Sequence, residues 1–149
     1  MKRLLIISLL IASTFAFNAA PASAAATCTI HNGALYKWSE QTDWVGYNAD
    51  FKCGGAANTR FRVKVTLQVN FGTDQNPSWL EGQCDAGPCQ TTKPSSSTWF
   101  PAGVEQAWGD GKFNYAGQID GWQMRMRYDV IFENGDPNPG PWFSSKVTV

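Results

Sequence analysis

The sequence predicts an all-β fold, an antiparallel two-sheet β-sandwich, and three observations predict it. Apolar and polar residues alternate with a period of two wherever the chain is regular. Gly-, Pro- and Asn-rich turn signals separate most of these runs. Beyond the N-terminal leader no stretch carries a convincing helical pattern. A strand with one apolar and one polar face must cover its apolar side, and a second such sheet is the simplest cover.

In chain order the reading begins with the leader. Lys2 and Arg3 make a short basic start, residues 4–16 are a nearly unbroken apolar run, and Pro21-Ala22-Ser23-Ala24 supplies an A-x-A-like site. That order predicts a secretory signal peptide over 1–24, cleaved near Ala24, and a single secreted β-sandwich domain over 25–149. The apolar run is too short for a membrane span and no second one follows. The expected location is extracellular or periplasmic. Removing 24 of the 149 residues leaves 125, enough for one domain with a core.

The strands follow. Residues 27–31 and 34–40 flank Asn32-Gly33, a hairpin signal. Over 44–53 the odd positions Val45, Tyr47, Ala49, Phe51 and Cys53 share one face, and Trp44 falls on the other. The next run places Phe61, Val63, Val65, Leu67, Val69 and Phe71 against Arg60, Arg62, Lys64, Thr66, Gln68 and Asn70. Residues 72–101 read as irregular except for a short strand near 98–100. Residues 104–108 offer one helical turn at most, and 112–116 a short strand after Gly109-Asp110-Gly111. Trp122, Met124, Met126, Tyr128, Val130 and Phe132 then alternate with Gln123, Arg125, Arg127 and Asp129. A second irregular stretch over 133–141 precedes Phe143, Val147 and Val149. The count is seven or eight strands, which makes the sandwich immunoglobulin-like.

Cys28, Cys53, Cys84 and Cys89 form an even set in an exported chain, so disulfides are expected. The preferred pairing is Cys28–Cys53 with Cys84–Cys89, because the second pair brackets a short Asp-Ala-Gly-Pro loop that closes locally. Chain-entropy bookkeeping assigns roughly 3.5 kcal/mol to the longer loop and about 2 kcal/mol to the shorter. A zinc site would need tighter pairs, and a redox pair would need C-x-x-C.

Charge narrows the function. Lys2 and Arg3 leave with the leader, so the mature chain carries 10 Lys+Arg against 12 Asp+Glu. That balance argues against a nucleic-acid partner. The 7 Trp are the most unusual feature. Trp44, Trp79, Trp99, Trp108 and Trp142 lie outside the apolar alternation, beside loops or on a polar face, where rings stack on sugars, anchor a protein partner or pack as satellite clusters. A basic stripe is the second feature. Arg60, Arg62 and Lys64 alternate on one strand, Arg125 and Arg127 on another, and neighbouring strands would put all five on one face. The plain alternative is a solvated face kept charged against aggregation.

Catalytic and metal readings are weaker. A Ser-His-acid triad would have to use His31, and no G-x-S-x-G elbow exists. A glycosidase-like pair would come from Glu105, Asp110 and Asp120, although Asp110-Gly111 and Asp120-Gly121 also read as turns. Glu133, Asp136 and Asn138 offer oxygen ligands without calcium-loop spacing. No metal or other cofactor is expected.

The resulting expectation is a secreted, monomeric, non-enzymatic protein that binds carbohydrate or cell-envelope glycan. Its ligand residues would be Trp99, Trp108, Trp44, Trp142, Arg60, Arg62, Lys64, Arg125 and Arg127. The alternative is a protein-binding inhibitor or toxin-like antimicrobial effector that acts through the tied loop Cys84–Cys89. A small secreted hydrolase comes third.

Overall fold

The computed structural model describes residues 27–37, 43–54, 59–94, 98–117 and 119–149, without the side chains of Asn32 and of 107–110. The leader expected over 1–24 lies outside these residues. All regular structure among them is β, in antiparallel sheets. The elements are β1 (Thr27–Lys37), β2 (Trp44–Gly54), β3 (Phe61–Asn70), β4 (Trp79–Glu81), β5 (Gln83–Cys84), β6 (Gly87–Pro88), β7 (Gln90–Lys93), β8 (Gln106–Asn114), β9 (Gln123–Phe132), β10 (Trp142–Phe143) and β11 (Val147–Thr148). Among the described residues no helix is long and apolar enough to cross a membrane.

Two sheets share one core. The first is β1-β2-β8. The second has β9 and β3 at its centre, with β10 and β11 on the β9 side and β4 and β7 on the β3 side. Their inward rows, Val45 to Cys53 on β2, Phe61 to Val69 on β3 and Met124 to Phe132 on β9, are the alternating residues of the sequence, and they form a single buried cluster. Phe51 meets Tyr128 edge-on across the sheets at 5.7 Å. Burial pushes the Tyr47 and Tyr128 phenols far above their ordinary range, so both are neutral.

The disulfides are Cys28–Cys53 and Cys84–Cys89, as expected, and no described cysteine is free. Cys28 sits directly opposite Cys53 in the β1–β2 ladder. This pairing fits an oxidising environment.

Several local expectations need correction. Asn32-Gly33 is no hairpin turn: β1 runs through it, and the pairing with β2 shifts by one residue between His31 and Ala34. The extra residue is a β-bulge, and it flips parity, so Cys28 and Ile30 pack inward before it and Leu35 after it. Gly109-Asp110-Gly111 is likewise no turn. Residues 106–108, expected within a helical turn, and 112–114, expected as the start of a separate short strand, join in β8, whose pairing shifts opposite Tyr47 and Ala49. Gly111 is required by the core: a Cβ there would lie 2.2 Å from the Tyr47 ring.

The irregular stretch 72–101 contains β4 to β7. These strands are four residues or shorter and lack apolar alternation, because none spans the core: β4 and β7 pair with the edge of β3, and β5 and β6 pair with each other. They raise the described strands to eleven, above the seven or eight expected. Phe71, expected in the core, lies past the end of β3 and is 52% exposed.

Candidate functional site

β3 and β9 are neighbours, so their polar rows form one outward face. The ladder places Arg62 opposite Ile131, Lys64 opposite Asp129, Thr66 opposite Arg127 and Gln68 opposite Arg125, and just past its end the side chains of Asn70 and Gln123 meet. Thr66 is only 1% exposed and Gln68 6%, so long neighbours cover the middle of this face.

Two of the loop tryptophans, Trp99 and Trp79, meet arginines of the basic stripe. At one end of the face the Arg62 guanidinium lies 3.9 Å from the Trp99 ring centre, and its Nε donates to the Thr98 carbonyl at 2.9 Å. Trp99 is held there because the next residue, Phe100, pairs with Phe61 through both backbone groups. At the other end Arg125 is flanked by two rings, 4.2 Å from Trp79 and 4.0 Å from Phe143. Its Nε donates to the buried Gln68 Oε1 at 2.9 Å.

Asn70 builds this second end. Its Oδ1 accepts the amides of Gly72 and Ser78, each at 2.9 Å, and its Nδ2 donates to Gln123 at 3.0 Å. That folds 71–78 back so that Trp79 pairs with Asn70 on β4. Gln123 also donates to Asp74, which receives Lys146 at 3.3 Å. These contacts, the Gln123 hydrogen bond first, hold the Asp74 carboxyl below its ordinary range.

The five expected cations do not act alike. Arg60 precedes β3 and is bound at its guanidinium by Glu133, with Nε 2.6 Å from Oε2. Arg127 is matched by Asp129, with Nε 2.8 Å from Oδ2 and Nη2 3.0 Å from Oδ1. Lys64 faces the same Asp129 across the ladder. Arg125 has no carboxylate partner among the described residues. Burial, and then Arg127, lower its guanidinium pKa.

The remaining expected aromatics lie elsewhere. Trp44 is on the outward side of the three-stranded sheet, with Lys112 Nζ 4.4 Å from its ring centre. Trp142 pairs with Tyr128 and packs against the core. Trp108 pairs with Ala49 in β8, and its side chain is outside the described set. Phe143, which follows the second irregular stretch together with Val147 and Val149, is 45% exposed and flanks Arg125. Adjacent strand residues point to opposite faces, so with Trp142 inward Phe143 must face out. That is the signal the sequence reading missed.

The tied loop Cys84–Cys89 is an excursion between β4 and β7. Gly82 donates to the Leu67 carbonyl at 2.8 Å, and Leu67 donates to Cys89 at 2.9 Å. The loop then reaches the other sheet: Asp85 donates to Asn114 and Ala116 to Gln83. It clasps the two sheets and leaves Asp85 and Ala86 exposed at its tip.

Glu105 and Asp120 lie at opposite ends of the three-stranded sheet. Glu105 precedes the Gln106–Phe51 rung, and Asp120 pairs with Lys37, opposite Val45. Six residues of β2 separate those levels, roughly 20 Å of strand. A glycosidase pair needs about 5 to 9.5 Å. The Asp110 side chain is outside the described residues.

His31 lines an open cleft of ≈ 530 Å³ with Thr27, Thr29, Lys52 and Glu105. Both threonine hydroxyls are engaged across the β1–β2 ladder, donating to the Gly54 and Lys52 carbonyls. Glu133, weighed for calcium, is held by Arg60, and Asn138 supports the 133–141 turn by accepting Val130 and Gly140. No described group of three acidic, His or Cys residues is placed to hold a metal. No family model matches this chain, and no curated protein matches it.

Proposed function

We propose that this chain is an exported, non-enzymatic glycan-binding protein, a monomeric immunoglobulin-like sandwich whose binding surface is the outward face of β3 and β9. On this reading the leader is cleaved near Ala24 and the protein works in the extracellular or periplasmic space. The two disulfides suit that compartment.

One observation carries the proposal. Arg62 with Trp99, and Arg125 with Trp79 and Phe143, stand at two levels of one face, six residues of β3 apart, or roughly 20 Å. Rings held by stacked guanidinium groups lose little further freedom when a ligand arrives. A polar row with Lys64, Arg127 and Asp129 joins the two ends. An extended chain of sugar rings matches this layout: apolar ring faces meet aromatic edges and hydroxyls meet the polar row.

Pull-down of the mature, oxidised protein on insoluble polysaccharides and cell walls tests this. Retention should survive high salt and fall at least about fivefold in Trp99→Ala and in Trp79→Ala. No retention on any glycan would overturn the reading.

A second reading is favoured by the pre-organised tip at Asp85 and Ala86. There the protein inserts the tied loop into a partner protein, and substitutions at Ala86 and Gly87 matter more than those at the tryptophans.

A further inference from the structure

Three of the four arginines on or beside this face differ in whether they hold a carboxylate. Arg60 and Arg127 each hold a carboxylate, from Glu133 and Asp129. Arg125 holds none among the described residues, although it is half-buried and beside Arg127. Among the described residues its one hydrogen bond to protein runs from Nε to Gln68. Its guanidinium plane is set by two rings, 4.2 and 4.0 Å away, and by that bond. The donors on its two terminal nitrogens therefore have a fixed direction and no protein acceptor among the described residues.

A cation held this way is costly in the free protein. Partial burial removes water from it and a like charge stands beside it, which is why its pKa is lowered. An arriving anion offsets that cost with opposite charge and hydrogen-bond acceptors. A planar carboxylate suits best, because it accepts two parallel N–H bonds from a guanidinium fork. The exposed parts of Trp79 and Phe143 then border the ring that bears the carboxylate.

We propose that Trp79, Arg125 and Phe143 form a carboxylate subsite, so that the glycan taken by this face is an acidic one built from uronic acid units. The assignment rests on the glycan reading above and names the chemical class of its ligand.

The probes are soluble polygalacturonate and the same polymer fully methyl-esterified, which keeps the sugar rings and removes the charge. Both are titrated at physiological salt into wild type, Arg125→Lys, Phe143→Leu and Arg127→Lys, with thermal melts as a check on folding. Wild type should prefer the acid form by at least about tenfold, in line with a charge-assisted hydrogen-bonded pair. Arg125→Lys keeps the charge but loses the fork and the stack, and should lose most of that preference. Phe143→Leu loosens the guanidinium and should lose part of it. Arg127→Lys should lose little, because its carboxylate partner is already Asp129.

Equal binding of acid and ester by wild type would overturn the subsite, and so would a preference that survives Arg125→Lys. If neither polymer binds while other polysaccharides are retained, the uronate subsite fails and the glycan reading stands. If no polysaccharide is retained, both fail.

Discussion

β3 and β9 meet in an unbroken ladder from Phe61 opposite Phe132 to Val69 opposite Met124, whereas β2 runs between two bulged partners. The regular pair keeps its parity from end to end. Every second residue therefore reaches the same outer surface, and that surface holds the ring-stacked arginines. The bulged sheet uses its irregularity differently. The bulge in β1 spans Asp50 to Asn48, and the bulge in β8 spans Ala49 to Tyr47. Asn48 stays opposite Ala34 but drops out of the β2–β8 register: its side chain accepts the Ala34 amide at 3.2 Å and its carbonyl accepts the Tyr128 hydroxyl at 3.3 Å. Regular pairing builds a face, and irregular pairing ties the two sheets together.

Removing the β1 bulge should have the largest effect on this contrast. Deleting Asn32 leaves no register that satisfies both ends of β1. Either Cys28 loses its place opposite Cys53 or Leu35 turns outward. The disulfide contributes about 2 to 4 kcal/mol and burial of a leucine about 1.5 to 3 kcal/mol. The deletion should expose titratable thiol, or lower the denaturant midpoint and with it the unfolding free energy by an amount in that range. A variant with native midpoint and no free thiol would show that the bulge does not set the register.

The β8 bulge is tested at its glycine. Gly111→Val forces a side chain into the Tyr47 ring, which is buried and stacked on Phe113 at 5.0 Å. Overpacking of this kind costs about 1 to 3 kcal/mol. Thermal melts should show a drop of roughly 4 °C or more. An unchanged melting temperature would mean that Tyr47 yields freely.

The smallest effect belongs to the end of the regular ladder. The Arg60 hydrogen bond holds the Glu133 carboxyl below its ordinary range. Because the folded value is depressed, the stabilisation is present above the unfolded carboxylate pKa and is lost as pH falls through the folded one. Wild type and Arg60→Gln should differ slightly in melting temperature near neutral pH and converge below about pH 4. A difference that persists in acid would point to packing of the Arg60 stem rather than its charge.

Much of the fold is legible in the sequence because long strands with one buried face leave an alternating trace. The rows of β2, β3 and β9 and the two disulfides can be read directly from residue order. Asn32-Gly33 and Gly109-Asp110-Gly111 mislead because glycine beside a polar residue serves a tight turn and a bulge equally well. The short edge strands leave no trace, since two to four residues carry no period.

The candidate site divides in the same way. Sequence alone determined that Arg62, Lys64, Arg125 and Arg127 stand on polar rows and that tryptophan is abundant beside them, because parity and composition are local properties. Tertiary structure decided which ring meets which cation. Trp79 and Phe143 reach Arg125 through separate edge strands, and Trp99 reaches Arg62 through the pairing of Phe100 with Phe61. It also decided that Arg60 and Arg127 are matched by acids while Arg125 has no such match among the described residues. Those outcomes depend on strand order and register, which bring together residues far apart along the chain, and no local pattern encodes them.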